Sequence, residues 1–399
     1  MSPSATEIGS SQAENAPLGL RLIPRERLDS RSDAEIAQVF QQKQPVTSDK
    51  NIWAFWHSGF NNMPAWLKRN AIDWVRRQGP EWVVHVLDDV PGSPTNVRNY
   101  LEPELLSDAF IQGTMDGIYK GTHSGDLVRL ALLWKYGGVW IDIGAILLRS
   151  IEDICWREIE DPNTPYEIGT FLMMGFMTNG FIACKKGNPF IKRWHDEYLK
   201  LWEGGATNAT GFHKNPKFKG KALFDSPHQN ITVGEIVDYS AHLICLFVLQ
   251  ELVEEGWNGP EYYLNHIHFT NGNQEMFLFH SFFNWDGTKE FELLNRKRTG
   301  EGVVQDEQWR EAEDVINKTL AGSSLIKLSH GPKNFWESTL AGYWDMGENA
   351  EAHNAPGTFA AYLREGSVKY EQTRKLLSLK MKSIGTDIKK ESLSVFQKD

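Results

Sequence analysis

The segment Ser124 to Leu148, SGDLVRLALLWKYGGVWIDIGAILL, leaves few choices for how this chain folds. Ser124 is a good helix N-cap, and Leu127, Leu130, Ala131 and Trp134 form one apolar stripe, which predicts a helix over Ser124 to Tyr136 lying on a sheet. Gly137-Gly138 stops that helix. Val139, Trp140 and Ile141 then read as a short strand, apolar on both faces and therefore central, that delivers Asp142 at its C-terminal end. In open α/β sheets that edge is where ligands bind. A carboxylate there, followed by Gly144 with room for close backbone approach, suits a metal-chelated diphosphate better than a packing role.

The remaining sequence supports an α/β reading. Asn51 to His57 and Trp82 to Leu87 are apolar runs typical of strands, separated by a helical pattern over Pro64 to Gln78. Further strands are expected at Tyr166 to Met177, Gly180 to Cys184 and Ser324 to Leu328, and helices at Asn188 to Trp202, Ile236 to Gly256, Trp309 to Leu320 and Thr358 to Leu377. Ala206 to Phe224 reads as a flexible insertion. The alternation implies a sheet with helices on both faces. No GxGxxG follows the first strand and no GxxxxGK[ST] occurs, which weakens a dinucleotide or P-loop assignment. The expected layout is an irregular tail over 1–48 with a short helical possibility at Ala34 to Gln42, a catalytic domain over 49–345, and a helical extension with a charged tail over 346–399.

Composition narrows the classes of partner. With 41% hydrophobic residues the chain can bury a sizeable core, and a net charge of -10 argues against a nucleic-acid surface, which needs clustered Lys and Arg. Cys155, Cys184 and Cys245 are too few and too scattered for a disulfide framework or metal knuckle, so they are expected reduced and buried. No signal-peptide pattern and no run of about 18 apolar residues is present, so the expectation is a cytosolic protein without an integral membrane segment, with the sequons at Asn208, Asn230 and Asn317 unused.

Asp126 and Arg129 stand three apart on the expected helix and share a face. One accepts hydrogen bonds and the other donates, as recognition of hexose hydroxyls requires. Spacing alone leaves a surface ion pair equally open. The block SGDLVRLALLWKYGGVWID resembles glycosyltransferases with a DXD motif in an SD-x-x-R … KYGG-x-Y/W-x-D-x-D pattern, especially the capsular polysaccharide synthesis protein family, related to glycosyltransferase family 32. Gly125 stands where the pattern has Ser. Asn51 to Pro64 and Asn179 to Trp194 extend the likeness, so that about Asn51 to Gly331 is covered.

The resemblance implies a GT-A fold, a Rossmann-like mixed sheet flanked by helices, here with helical extensions. It also implies a nucleotide-sugar donor, UDP-sugar favoured and GDP-mannose as an alternative, and retention at the anomeric carbon. Carried over by position, Asp126 and Arg129 would hold the donor sugar and Asp142 the ribose or a Mn2+ or Mg2+ ion at the diphosphate. Trp56 would stack on the base, or serve as ordinary core. Asn179 would bind sugar, or cap a turn. Ser329 and His330 match a segment that closes over the phosphates, with His330 available to complete the metal shell. The second acid of DXD is Gly144 here, so one chelating carboxylate is absent.

In a retaining transfer the leaving diphosphate itself can take the acceptor's proton, and catalysis rests on positioning and charge stabilisation. Asp238 and His242, four apart on one expected helix, are candidates for acceptor contacts. The acceptor is expected to be a small-molecule or lipid-like compound, with the aromatic region Trp257 to Trp285 lining an apolar pocket. Rival readings are a degenerate sugar-binding protein, a polysaccharide-extending enzyme, and a glycoside hydrolase, for which no two acids suggest themselves as a pair.

Overall fold

The structure is a computed structural model describing residues 16–173, 175–221, 232–331, 338–381 and 384. The sequon at Asn230 and most of the charged C-terminal tail lie outside the described residues. Among the described residues twelve strands occur: β1 (Leu20–Leu22), β2 (Asn51–Phe55), β3 (Val83–Leu87), β4 (Gly138–Ile141), β5 (Ala145–Leu147), β6 (Ile168–Met173), β7 (Phe176–Cys184), β8 (Val253–Glu254), β9 (Trp257–Asn258), β10 (Ile267–Asn271), β11 (Leu325–Lys327) and β12 (Tyr370–Gln372). Six of them form one sheet in the order β10-β6-β7-β4-β2-β3. β4 pairs in parallel with β2 and antiparallel with β7, so the sheet is mixed. A sheet buried on both faces needs apolar residues at both parities. β2 meets this need: Ile52 and Ala54 join the core on one face, while Trp53 and Phe55 join the core on the other.

The central helix runs Lys120–Tyr136 and begins a turn before the expected Ser124. Ser124 lies inside it, its hydroxyl donating to Met115 Sδ at 3.6 Å, because the helix is enclosed on all sides and the Ser side chain faces protein rather than an open first turn. The predicted stop holds: Gly137 has φ +69° and its N–H donates to Leu133 O. At Gly138, φ is +99° and a Cβ would overlap the Asn51 carbonyl of β2, so only glycine lets β4 dock there.

Four expectations change. Residues 16–48 carry β1, which pairs with β12, while the short helix expected at Ala34 to Gln42 is present as Asp33–Val39, its start closed by a Ser32–Glu35 capping box. The predicted helix over Ile236 to Gly256 is two helices, Val233–Tyr239 and Ala241–Glu251, bent by 85° at Ser240, whose hydroxyl donates back to Ile236 O. In the insertion before the undescribed 222–231, Phe212 and Phe218 are buried in short 3-10 turns. Thr358 caps the C-terminal helix Phe359–Lys369, which ends early because the chain turns into β12. The three cysteines are free and buried, as expected. Among the described residues no single helix is long and apolar enough to cross a membrane; the bent pair alone reaches that length and composition.

Candidate active site

β4 lies inside the sheet, and its last residue is followed by Asp142, whose N–H donates to Gly180 O of β7 at 2.8 Å. Asp142 Oδ1 accepts from Trp140 Nε1 at 2.8 Å and from Arg129 at 3.0 Å. Asp142 Oδ2 faces Lys327 Nζ at 3.1 Å. Arg129 also stands 3.2 Å from Asp126 Oδ1, and its guanidinium lies over the Trp140 ring. The Asp126–Arg129 pair is therefore no surface ion pair: both side chains are 5% exposed, and the helix that carries them packs between β2 and the helix Pro189–Leu199.

Asp126 leads on to His242 and Asn179. His242 Nδ1 is 4.0 Å from Asp126 Oδ1 and 3.3 Å from Asn179 Nδ2, and its ring lies against Trp194 and Tyr198. Several polar atoms of this cluster are buried with no hydrogen-bond partner among the described residues, Arg129 Nε and Nη1 and His242 Nε2, and Asp126 Oδ1 has only its ion-pair contacts. A buried polar group left unpaired costs about 1–3 kcal/mol. A cluster of such groups, donors and acceptors together, is matched by a ligand rich in hydroxyls.

The electrostatics divide the two acids. Burial pushes the Asp126 carboxyl up to about 7, with Arg129 opposing and Asp142 adding repulsion. Burial also raises Asp142, but Lys327, Arg129 and the Trp140 hydrogen bond outweigh it and hold that carboxyl at about 2. Burial and the nearby Arg129 keep His242 neutral. The signs follow by linkage. Between about pH 4 and 7 folded Asp126 keeps a proton that the unfolded chain releases, so its contribution to stability falls as pH rises through that range. Asp142 stabilises above about pH 4, and that contribution is lost as pH falls towards 2. Asp126→Asn is therefore expected to melt above the wild type at pH 8, with the difference fading by pH 5. Equal melting temperatures at pH 8 would refute the assignment.

The other expected site residues separate. Trp56 follows β2 at the same sheet edge as Asp142, anchored by its N–H to Leu87 O, with its ring half-buried and its indole N–H without a partner among the described residues. Ser329 Oγ accepts from the Gly331 N–H, and His330 Nε2 pairs with Asp345 Oδ2 at 2.7 Å. Asp238 departs from expectation. Its oxygens accept from the N–H groups of Gly211 and His213 and pair with the His213 ring, so it clasps a loop. The bend at Ser240 is the reason it shares no face with His242, which belongs beside Asp126.

Lys327 is the residue that sequence reasoning missed. It was legible as the one charge in the apolar run Ser324 to Leu328. β11 pairs antiparallel with β5, placing Lys327 opposite Ala145 and Leu328 beside Gly144. The donor set does not fit the expected divalent ion. Such an ion wants several oxygen ligands, whereas the Asp142 carboxylate already carries Arg129 and Lys327. Among the described residues no three His, Cys, Asp or Glu side chains gather as a metal-binding group.

Comparison with known proteins places the chain in a family. Residues 20–218 match the model for the capsular polysaccharide synthesis protein family. The O-glycosyltransferase braB of Annulohypoxylon truncatum is 49% identical, over 93% of this chain and 92% of that protein. The glycosyltransferase afumC of Aspergillus fumigatus is 41% identical, over 90% and 95%. The O-glycosyltransferase PaGT of Phomopsis amygdali is 38% identical, over 92% and 93%. The chain belongs to the capsular polysaccharide synthesis protein family and is a glycosyltransferase.

Proposed function

We propose that this enzyme moves a hexose from a nucleoside-diphosphate sugar, UDP-sugar first and GDP-mannose second, to a hydroxyl of a small-molecule or lipid-like acceptor, with retention. The observation that carries the reading is the set of buried polar atoms without a hydrogen-bond partner among the described residues on Arg129 and His242, beside the buried Asp126 carboxyl and next to the charged group at Asp142. Sugar hydroxyls would complete those hydrogen bonds, and Asn179 would join them. Transfer to oxygen is supported by the names of two relatives, both O-glycosyltransferases.

In the proposed step the bond from the anomeric carbon to the diphosphate oxygen breaks and leaves its electron pair on that oxygen. The acceptor oxygen bonds the anomeric carbon on the same face, and its proton passes to a diphosphate oxygen. The protein's work is to orient the sugar and to offset the charge that develops. Trp56, at the same sheet edge, is the candidate to stack on the base.

The test is thermal. A bound donor stabilises by mass action, about 2.7 kcal/mol at a hundredfold excess over its Kd. One of UDP-glucose, UDP-galactose or GDP-mannose is expected to raise the melting temperature by about 3 °C or more. If none of the three shifts it, with or without Mn2+, the reading is wrong.

A further inference from the structure

Resting on that nucleotide-sugar reading, we propose that Lys327 is the cation that joins Asp142 to the donor's diphosphate, in the position that DXD enzymes give to a divalent ion. Three features of the site lead there.

The first is the setting of the ammonium. Lys327 Nζ is 3.1 Å from Asp142 Oδ2 and donates towards Leu328 O at 3.4 Å. An ammonium has three donors, and the third has no partner among the described residues. The side chain is 15% exposed. It is thus backed by a carboxylate and has one N–H remaining at the sheet edge where ligands bind. Lysine recognises phosphate as a compact point charge, which is the duty required beside a diphosphate leaving group.

The second is the room made for it. At Gly180 of β7 a Cβ would lie 2.9 Å from Lys327 Cε and 3.1 Å from Asp142 Oδ2. A side chain there would force Lys327 Cε to shift, so the glycine in β7 leaves the room that the pair occupies.

The third concerns the missing acid. A Cβ at Gly144 would overlap the Leu328 carbonyl oxygen, and Gly144 O accepts from the Leu328 N–H at 3.0 Å. The pairing of β5 with β11 therefore excludes a second carboxylate, and the same pairing delivers the lysine to the first. Arg129 stays on Asp142 Oδ1, so the two cations flank one carboxylate from opposite oxygens. When the sugar departs, the electron pair left on the diphosphate oxygen would meet the Lys327 ammonium directly.

The experiment uses the full-length protein, stripped with EDTA and chelating resin. Release of UDP from UDP-glucose is expected to stay within about twofold of the rate with millimolar Mn2+ or Mg2+. Lys327→Met is expected to lower that rate about 100-fold, the scale of losing one charge-stabilising donor, with Lys327→Arg keeping more activity than Lys327→Met. In calorimetry Lys327→Met should weaken UDP about tenfold and leave uridine unchanged, with GDP and guanosine as the parallel pair. A rate lost on chelation and restored by Mn2+ overturns the proposal, whatever the variants do. So does a Lys327→Met protein that binds UDP like the wild type, or one that loses UDP and uridine equally, as a purely structural lysine would. Wild-type protein that binds neither UDP nor GDP under any condition overturns the nucleotide reading itself. Wild-type protein that binds UDP only with Mn2+ overturns the lysine's role alone.

Discussion

Asp142→Asn is expected to reduce sugar release from the donor by about a thousandfold or more. The carboxylate receives Arg129 on one oxygen and Lys327 on the other, with the Trp140 indole as a third donor. An amide of the same shape keeps one acceptor and turns two donors towards a cation, so at least one positive group leaves its place. Displacing a single preorganised charge-stabilising group costs about 10^2–10^3 in rate, and two such groups depend on this one side chain. Stability falls as well, because Arg129 remains buried with only Asp126 for counter-charge, and breaking a buried pair costs roughly 3–5 kcal/mol at most. The assay is UDP release by the variant and the wild type at matched folded fraction, judged by thermal melting. A folded Asp142→Asn enzyme with full turnover would remove Asp142 from the mechanism.

Gly144→Asp, which restores the missing acid of the DXD pattern, is expected to unfold the edge of the site rather than create a metal-dependent enzyme. Its Cβ would overlap the Leu328 carbonyl and come within 3.7 Å of the Trp66 ring. To admit it, β5 and β11 must part, losing the Leu328 N–H to Gly144 O hydrogen bond and moving Lys327 from Asp142. Overpacking alone costs about 1–3 kcal/mol, and a carboxylate among apolar neighbours adds to it. Expression as insoluble protein, or a fall in melting temperature of about 5 °C or more, is the expected result, with Gly144→Ala showing a smaller fall of the same sign. A Gly144→Asp protein with wild-type melting and Mn2+-stimulated turnover would show that the strand pair yields easily.

What was legible along the chain had local causes. Gly137-Gly138 ends a helix because both residues adopt positive φ, and the strand after it is central because residues of both parities are apolar. The helix start was misplaced because Ser124 is a good cap by type but sits inside an enclosed helix, where enclosure outweighs cap preference. The break at Ser240 was hidden because the apolar residues on either side, Ile236 and Val237 before it and Ala241, Ile244 and Cys245 after it, keep helical spacing across it, and nothing in that spacing marks a bend. That one bend separates Asp238, which clasps a loop, from His242, which lies beside Asp126.

By itself, then, the sequence determined that a helix carrying Asp126 and Arg129 leads through two glycines into a buried strand ending at Asp142, since every link in that run is between near neighbours. Only the tertiary structure decided how Asp142 is held. Its partner Lys327, at the end of β11, and the carbonyl of the next residue, Leu328, which bars an acid at Gly144, are remote in sequence, and β11 is joined to β5 by backbone pairing. Strand pairing of that kind follows from how two distant segments bury their faces together, and no local pattern encodes it.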